Sequence, residues 1–188
     1  MADKAVQPVR AHEYDEEDEE QNPGAFMWIE GDSLAPPCQS DRDVVDKIVE
    51  IAQLSPDDVL IDLGCGDGRI CIEAARQFGA RARGVEIEEF LIDRFQQLID
   101  SNQLQDRVSV SHGDLLKEDL SDATVIVTYL LPEAMDELAD KFKRLLEQKD
   151  KDVRIICNTW GIRGVTPTER HDAGNYGNVT LLVYKSSA

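Results

Sequence analysis

The stretch Val59-Leu-Ile-Asp-Leu-Gly-Cys-Gly-Asp-Gly-Arg69 decides the fold. Val59 to Leu63 is a short, almost wholly apolar run, the pattern of a strand buried on both faces of a parallel sheet. Glycines at 64, 66 and 68 follow at once, and Ile70 to Phe78 then reads as a helix. Gly64 and Gly66 permit a tight turn and a close approach of backbone to a ligand, while Gly68 permits close helix packing. In an open α/β sheet, such a turn at the carboxyl end of the first strand is where a nucleotide-like ligand sits. A glycine pattern on its own also fits a merely tight strand-to-helix turn, the lesser reading in this context.

Outward from this stretch, strands and helices alternate. A helix is expected from about Ser40, because Val44, Val45, Ile48, Val49 and Ala52 recur at helical spacing and Ser40 or Asp41 is available as a cap. It ends before Ser55-Pro56. Beyond the glycine turn come a strand over Ala82 to Ile87, a helix over Phe90 to Ile99, and strands over Val108 to Ser111 and Thr124 to Tyr129. A helix over Pro132 to Leu146 and strands over Val153 to Asn158 and Val179 to Tyr184 complete the series. This order implies parallel strands joined by right-handed crossovers, with helices on both faces of the sheet. Trp160 to Asn178 is rich in Gly, Thr and Asn, so the closing strand is expected to return antiparallel, through a hairpin.

With 188 residues the chain suits one catalytic domain. Residues 1–24 read as a disordered acidic tail, ending at Asn22-Pro23-Gly24. Residues 25–40, with the apolar cluster Phe26-Met-Trp-Ile29 and the Pro36-Pro37-Cys38 turn, read as a lid or substrate-side segment, and 41–188 as the catalytic domain. The net charge is -18, and seven of those charges lie in Glu13-Tyr-Asp-Glu-Glu-Asp-Glu-Glu20. The remainder is still acidic, which disfavours a nucleic acid partner, since such ligands are held by Lys and Arg on phosphates. No apolar run approaches the ~20 residues that span a bilayer, and no signal or transit pattern opens the chain. An intracellular, cytoplasmic monomer with no membrane partner is expected. Cys38, Cys65, Cys71 and Cys157 lack paired zinc spacing, so they read as small buried hydrophobes and no metal is expected.

The acids of this region narrow the ligand. Glu86 ends the second strand 24 residues after Asp62, where a carboxylate accepts both ribose hydroxyls of an adenosine. The glycines run GxGxG rather than the GxGxxG that meets a pyrophosphate, and Asp62 and Asp67 would repel one. Two carboxylates suit a ligand carrying an ammonium and a sulfonium.

On these residues the chain resembles the class I S-adenosylmethionine-dependent methyltransferases, over roughly Asp41 to Tyr184. Ile61-Asp-Leu-Gly-Cys-Gly-Asp-Gly-Arg69 is similar to that family's first motif, Gly84-Val-Glu-Ile87 to its second and His112-Gly-Asp-Leu115 to its third. The resemblance implies a Rossmann-like, doubly wound, mostly parallel seven-stranded sheet with an antiparallel C-terminal strand, and S-adenosyl-L-methionine as cofactor. It implies that Asp62, Gly64 and Gly66 line the methionine part, Glu86 the ribose and Asp114 the adenine, with Cys65 also among the cofactor-binding residues. By its own residues Asp114 is equally a turn former. With Thr128-Tyr-Leu-Leu-Pro132 added, the pattern is similar to the small protein-lysine methyltransferases once called family 173, themselves like the Dot1 type. Their transmembrane anchor is absent here, and the acidic tail is not part of the shared pattern.

The acceptor is expected beside the fourth strand. Tyr129 is the candidate for positioning it, by cation–π contact, with Trp28, Leu131, Pro132, Asn158 and Trp160 as further substrate-side residues. The loop from Gly161 to Asn178, with His171, Asn175 and Tyr176, is expected to carry specificity. Three functions stay open: methylation of a protein lysine, methylation of a small molecule, and a non-catalytic cofactor-binding module whose acidic tail recruits a basic partner.

Overall fold

The computed structural model describes residues 34–35, 40–149 and 151–186. The expectations for the tail over 1–24, for Trp28 and Cys38, and for most of the segment 25–40 lie outside the described residues.

Seven strands form one sheet: β1 Val59–Leu63, β2 Arg81–Glu86, β3 Val108–His112, β4 Val125–Thr128, β5 Arg154–Asn158, β6 Glu169–Ala173 and β7 Val179–Lys185. Their spatial order is β3-β2-β1-β4-β5-β7-β6. The first five are parallel, and β7 runs antiparallel to both β5 and β6. The order reverses beside β1, which is where a doubly wound sheet opens a crevice at its carboxyl edge. Every residue of β1 is buried, as a central parallel strand requires.

Among the described residues four helices cover the sheet: α1 Arg42–Ala52, α2 Arg69–Phe78, α3 Glu89–Ser101 and α4 Pro132–Leu146. On one face Val44, Val45, Ile48 and Val49 of α1, Ile70, Cys71 and Ala74 of α2 and Phe95 and Ile99 of α3 pack on Leu60, Val125, Val127 and Ile156. On the other, Ala134, Met135, Leu138 and Phe142 of α4 meet Ile61, Leu63, Ile126 and Ile155. Alternate residues along β1 and β4 thus serve opposite cores, as the two-residue period of a strand dictates. Pro132 stands in the first turn of α4, where its missing N–H leaves no intrahelical bond unmade.

The amino ends of three strands are tied together away from the glycine turn. Asp58 accepts hydrogen bonds from Ser55 N (2.7 Å), Ser55 Oγ (2.8 Å) and Thr124 Oγ1 (2.7 Å) and pairs with Arg154. Burial alone would raise the Asp58 pKa; the bonds from Thr124 and Ser55 and the charge of Arg154 outweigh it and hold the carboxyl below its usual range.

The expected elements match within one or two residues, with one difference. Strand β6 lies inside the stretch that reads as a specificity loop, and it places His171 on a strand with Nε2 3.0 Å from Glu169 Oε2. Its charged sequence, Glu-Arg-His-Asp-Ala, hides an edge strand from an apolar pattern search. What remains of the loop at this end is a hairpin tip, where Gly177 N donates to Gly174 O (2.9 Å). It carries Asn175 and the fully exposed Tyr176.

Candidate active site

The glycine turn is built by the strand behind it. Gly64 N and Cys65 N both donate to Val85 O on β2, at 2.9 and 3.1 Å. Gly68, with φ +79°, begins α2, and a Cβ there would lie 2.1 Å from the Phe95 ring. That buried ring supports the turn from below, so only glycine fits. Gly66, at φ +56°, is different: a Cβ on it would meet nothing within 4 Å. Above it the turn is open, with room for a ligand to lie against backbone.

Asp62 lies in β1, two residues before the turn. It is 3% exposed, and no described residue donates a hydrogen bond to its carboxylate. Burial first, then the carboxylates of Glu86 and Asp67, push its pKa up to about 8. A buried acid without a partner calls for a cation. The ammonium of a methionine moiety supplies one, so the donor set suits that ligand on chemical grounds.

Glu86 is buried and fixed rather than solvated. Its Oε2 accepts from Gly66 N (2.9 Å), and its Oε1 from Ile87 N (2.8 Å) and Glu88 N (3.1 Å). Oε2 keeps acceptor capacity for a ligand hydroxyl. Asp67, whose charge the sequence reading set against a pyrophosphate, forms instead a two-pronged pair with Arg69 (Nε–Oδ1 3.0 Å, Nη2–Oδ2 2.9 Å). Asp67 is thereby paired with a cation, whereas Asp62 and Glu86 form no ion pair with a described residue. Arg69 Nη1 reaches on to Ser40 O at 2.9 Å.

The Cys65 thiol is buried against Gly84, and a Cβ on that glycine would lie 2.4 Å from Sγ. Asp114 makes the turn its sequence also suggests: Oδ1 accepts from Leu116 N (3.0 Å) and Oδ2 pairs with Lys117 (2.9 Å). Those hydrogen bonds, Lys117 first, hold its carboxyl below the usual range.

On the acceptor side, Leu130 is wholly in the core, Leu131 is half-buried and Pro132 exposed. Tyr129 and Trp160, from the carboxyl ends of β4 and β5, are stacked with ring centroids 6.0 Å apart and planes 18° from parallel. Asn158 is buried, its Nδ2 donating to Ser40 Oγ at 3.3 Å. Leu131 N donates to Leu34 O (2.9 Å), and the position a Cβ would take on Gly64 lies 3.7 Å from Ala35. Leu34 and Ala35 therefore lie against the end of β4 and the glycine turn. Two features escaped the sequence reading. Ile87 is 62% exposed beside Glu86, an apolar face turned to solvent whose signal was its place directly after the strand-ending acid. Ser40 links Arg69 to Asn158, for which no sequence signal exists.

No group of three His, Cys, Asp or Glu among the described residues is placed to hold a metal, and no helix among them is long and apolar enough to cross a membrane.

The chain is similar to proteins of one activity. A protein-lysine N-methyltransferase of Saccharolobus islandicus is 36% identical over 142 residues, 74% of this chain and 86% of the relative. The crystal structure of an RNA methyltransferase from Salinibacter ruber, in complex with S-adenosyl-L-homocysteine, matches with a TM-score of 0.71 and 32% identity, over 79% of this chain and 93% of that one. A methyltransferase from Geobacter sulfurreducens, also with S-adenosyl-L-homocysteine, shares the fold alone, with a TM-score of 0.52 and 20% identity over 66% of this chain and 50% of that one. The family described as the ANTKMT methyltransferase domain matches residues 62–169, from the buried acid of β1 to the start of β6. With more than half its length in that match, this chain belongs to the ANTKMT methyltransferase domain family and is an S-adenosylmethionine-dependent methyltransferase of class I.

Proposed function

We propose that the protein methylates the side-chain amine of a lysine in a protein, and that it stands with the small family 173, Dot1-like lysine methyltransferases. The observation that carries this reading is the Tyr129–Trp160 pair at the carboxyl ends of β4 and β5, since aromatic faces favour an amine on an apolar stem. The name of the Saccharolobus relative supports it.

S-adenosylmethionine supplies a sulfonium-bound methyl group, and the protein's part is alignment and the exclusion of water. In this reading Asp62 takes the ammonium, while the backbone of Gly64, Cys65 and Gly66 lies along the methionine part. Glu86 Oε2 accepts from the ribose, the Ile87 face meets the adenine ring, and Asp114 accepts from the adenine amino group. Of the segment 25–40 expected to serve as a lid, the described residues Leu34 and Ala35 stand on the acceptor side, where Leu131 N donates to Leu34 O. Tyr129 orients the acceptor, with Leu131, Pro132, Asn158 and Trp160 around it. An acceptor that binds as its ammonium must lose that proton to solvent before its lone pair can attack the methyl carbon.

The Salinibacter protein is described as an RNA methyltransferase, so RNA is the second acceptor to weigh. The net charge of -18 opposes it, and near the site Arg69, Lys117 and Arg163 are each paired with an aspartate. Counterion release needs cations that are free to meet phosphates.

The test is transfer of labelled methyl groups to three pools: basic proteins rich in lysine, total RNA, and small primary amines. Label recovered as methyl-lysine after acid hydrolysis of the protein pool is the expected result. Label confined to RNA or to the small amines overturns the proposal.

A further inference from the structure

The chain leaves β5 in a conformation that its sequence disfavours. Three described non-glycine residues have φ in the left-handed region: Gln53, Gln103 and Thr159. Gln53 and Gln103 follow the ends of α1 and α3, where such a residue commonly ends a helix. Thr159, at φ +66°, follows a strand, and a β-branched side chain there is strained.

The surroundings over-determine this turn. Thr159 N donates to Thr180 O on β7 at 2.8 Å, and Trp160 N donates back to Asn158 O at 2.8 Å, closing a three-residue loop. Thr159 Oγ1 donates to Asn158 Oδ1 at 2.9 Å. Beyond it, a Cβ on Gly161 would lie 2.4 Å from the Tyr184 hydroxyl, and Ile162 N donates to that same hydroxyl at 3.0 Å. Strain held this firmly is characteristic of functional sites, because any relaxed alternative would place the next side chain elsewhere. The next side chain is Trp160, and the turn brings its indole onto the Tyr129 ring.

A shared anchor joins this wall to the cofactor side. Asn158 donates to Ser40 Oγ, while Ser40 O receives Arg69, whose guanidinium holds Asp67 in the glycine turn. The aromatic pair and the glycine turn are thereby fixed to one point of the chain.

We infer that Thr159 is a positioning residue and Trp160 a specificity-determining one: the strained turn aims the indole alongside Tyr129, and the resulting wall selects an acceptor with a cationic or amine head on an apolar stem. This rests on the placement of the acceptor beside β4 and β5 proposed above. An ammonium is drawn to an aromatic face and the stem packs on its carbons, whereas an anion is repelled by the same face.

The test separates this inference from the identity of the acceptor by reading binding rather than turnover. The full-length protein, loaded with S-adenosylhomocysteine, is titrated with n-butylammonium and with n-butanol, followed by saturation-transfer NMR. Wild type should bind the ammonium at least about fivefold more tightly than the alcohol, the order of one exposed cation–π contact. Trp160→Phe should retain that preference and Trp160→Ala lose it. Thr159→Gly should weaken the ammonium about threefold, while its urea midpoint stays at or above that of wild type because the φ strain is relieved. Affinity for S-adenosylhomocysteine should be unchanged in all three variants. Equal binding of ammonium and alcohol by wild type, or none of either, overturns the assignment of the wall. Wild-type ammonium binding in Thr159→Gly, or a midpoint below wild type, overturns the role of the turn. Lysine methylation by the wild-type protein is read separately, so a failure there counts against the proposed function and not against the wall.

Discussion

Replacing Asp62 with Asn separates what this carboxylate costs the fold from what it gives the cofactor. The side chain is buried, and its pKa is pushed up to about 8 by burial, with smaller contributions from Glu86 and Asp67. In the unfolded chain the same group titrates near ~3.9. Folding at pH 7 therefore takes up a proton that the unfolded chain has lost. Each unit between the unfolded pKa and the ambient pH is worth about 1.4 kcal/mol, so the penalty at pH 7 is about 4 kcal/mol. Because the folded pKa is raised, stability is greatest below about pH 4, declines as the pH rises from there to about 8, and is level beyond. Asn has no such proton, but its amide N–H groups go unpaired at a cost of about 1 kcal/mol. In the absence of cofactor the variant should thus be more stable than wild type by about 3 kcal/mol at pH 7, and the gap should shrink by about 1.4 kcal/mol per unit toward pH 5. Urea denaturation of both proteins at pH 5, 6, 7 and 8 measures it. Calorimetric titration with S-adenosylhomocysteine completes the experiment. Wild type should release close to one proton on binding at pH 6, seen as a dependence of the enthalpy on the buffer, and the variant should bind at least about a hundredfold more weakly through loss of a buried charge pair. A stability gap that is flat across this pH range, or full affinity in Asp62→Asn, would refute the reasoning.

Two further outcomes follow from packing and from the network at the far end of the sheet. Gly68→Ala should destabilise the protein by about 2–4 kcal/mol, measured by urea denaturation, because the new Cβ meets the Phe95 ring at 2.1 Å and φ is +79°; a loss under ~0.5 kcal/mol would mean that the ring yields freely. Asp58→Ala should cost about 3–5 kcal/mol by stranding Arg154, which already has a buried Nε with no partner, while cofactor affinity stays at the wild-type value; a thermal melt and a binding titration on the same sample check both halves.

Much of this protein is local and therefore legible along the chain. The apolar run Val59–Leu63 could only be a central strand, three glycines could only be a turn, and Val44, Val45, Ile48 and Val49 repeat at the helical period, so β1, the glycine turn and α1 follow from neighbours a few residues apart. Glu86 was legible too, since a strand–turn–helix–strand unit fixes how far its second strand end lies from its first. Strand β6 was not: its Glu-Arg-His-Asp sequence has no apolar alternation, and only pairing with β7 makes it a strand. The partner of Asp67 is Arg69, two residues away, yet sequence alone does not say that the guanidinium turns back to it and onward to Ser40. Likewise the raised pKa of Asp62 comes first from burial and then from the acid that ends β2, and the left-handed backbone of Thr159 is held by a carbonyl of β7. Periodicity and turn chemistry write themselves into the order of residues. Desolvation and strain belong to the space between elements, and they exist only once the chain has closed around them.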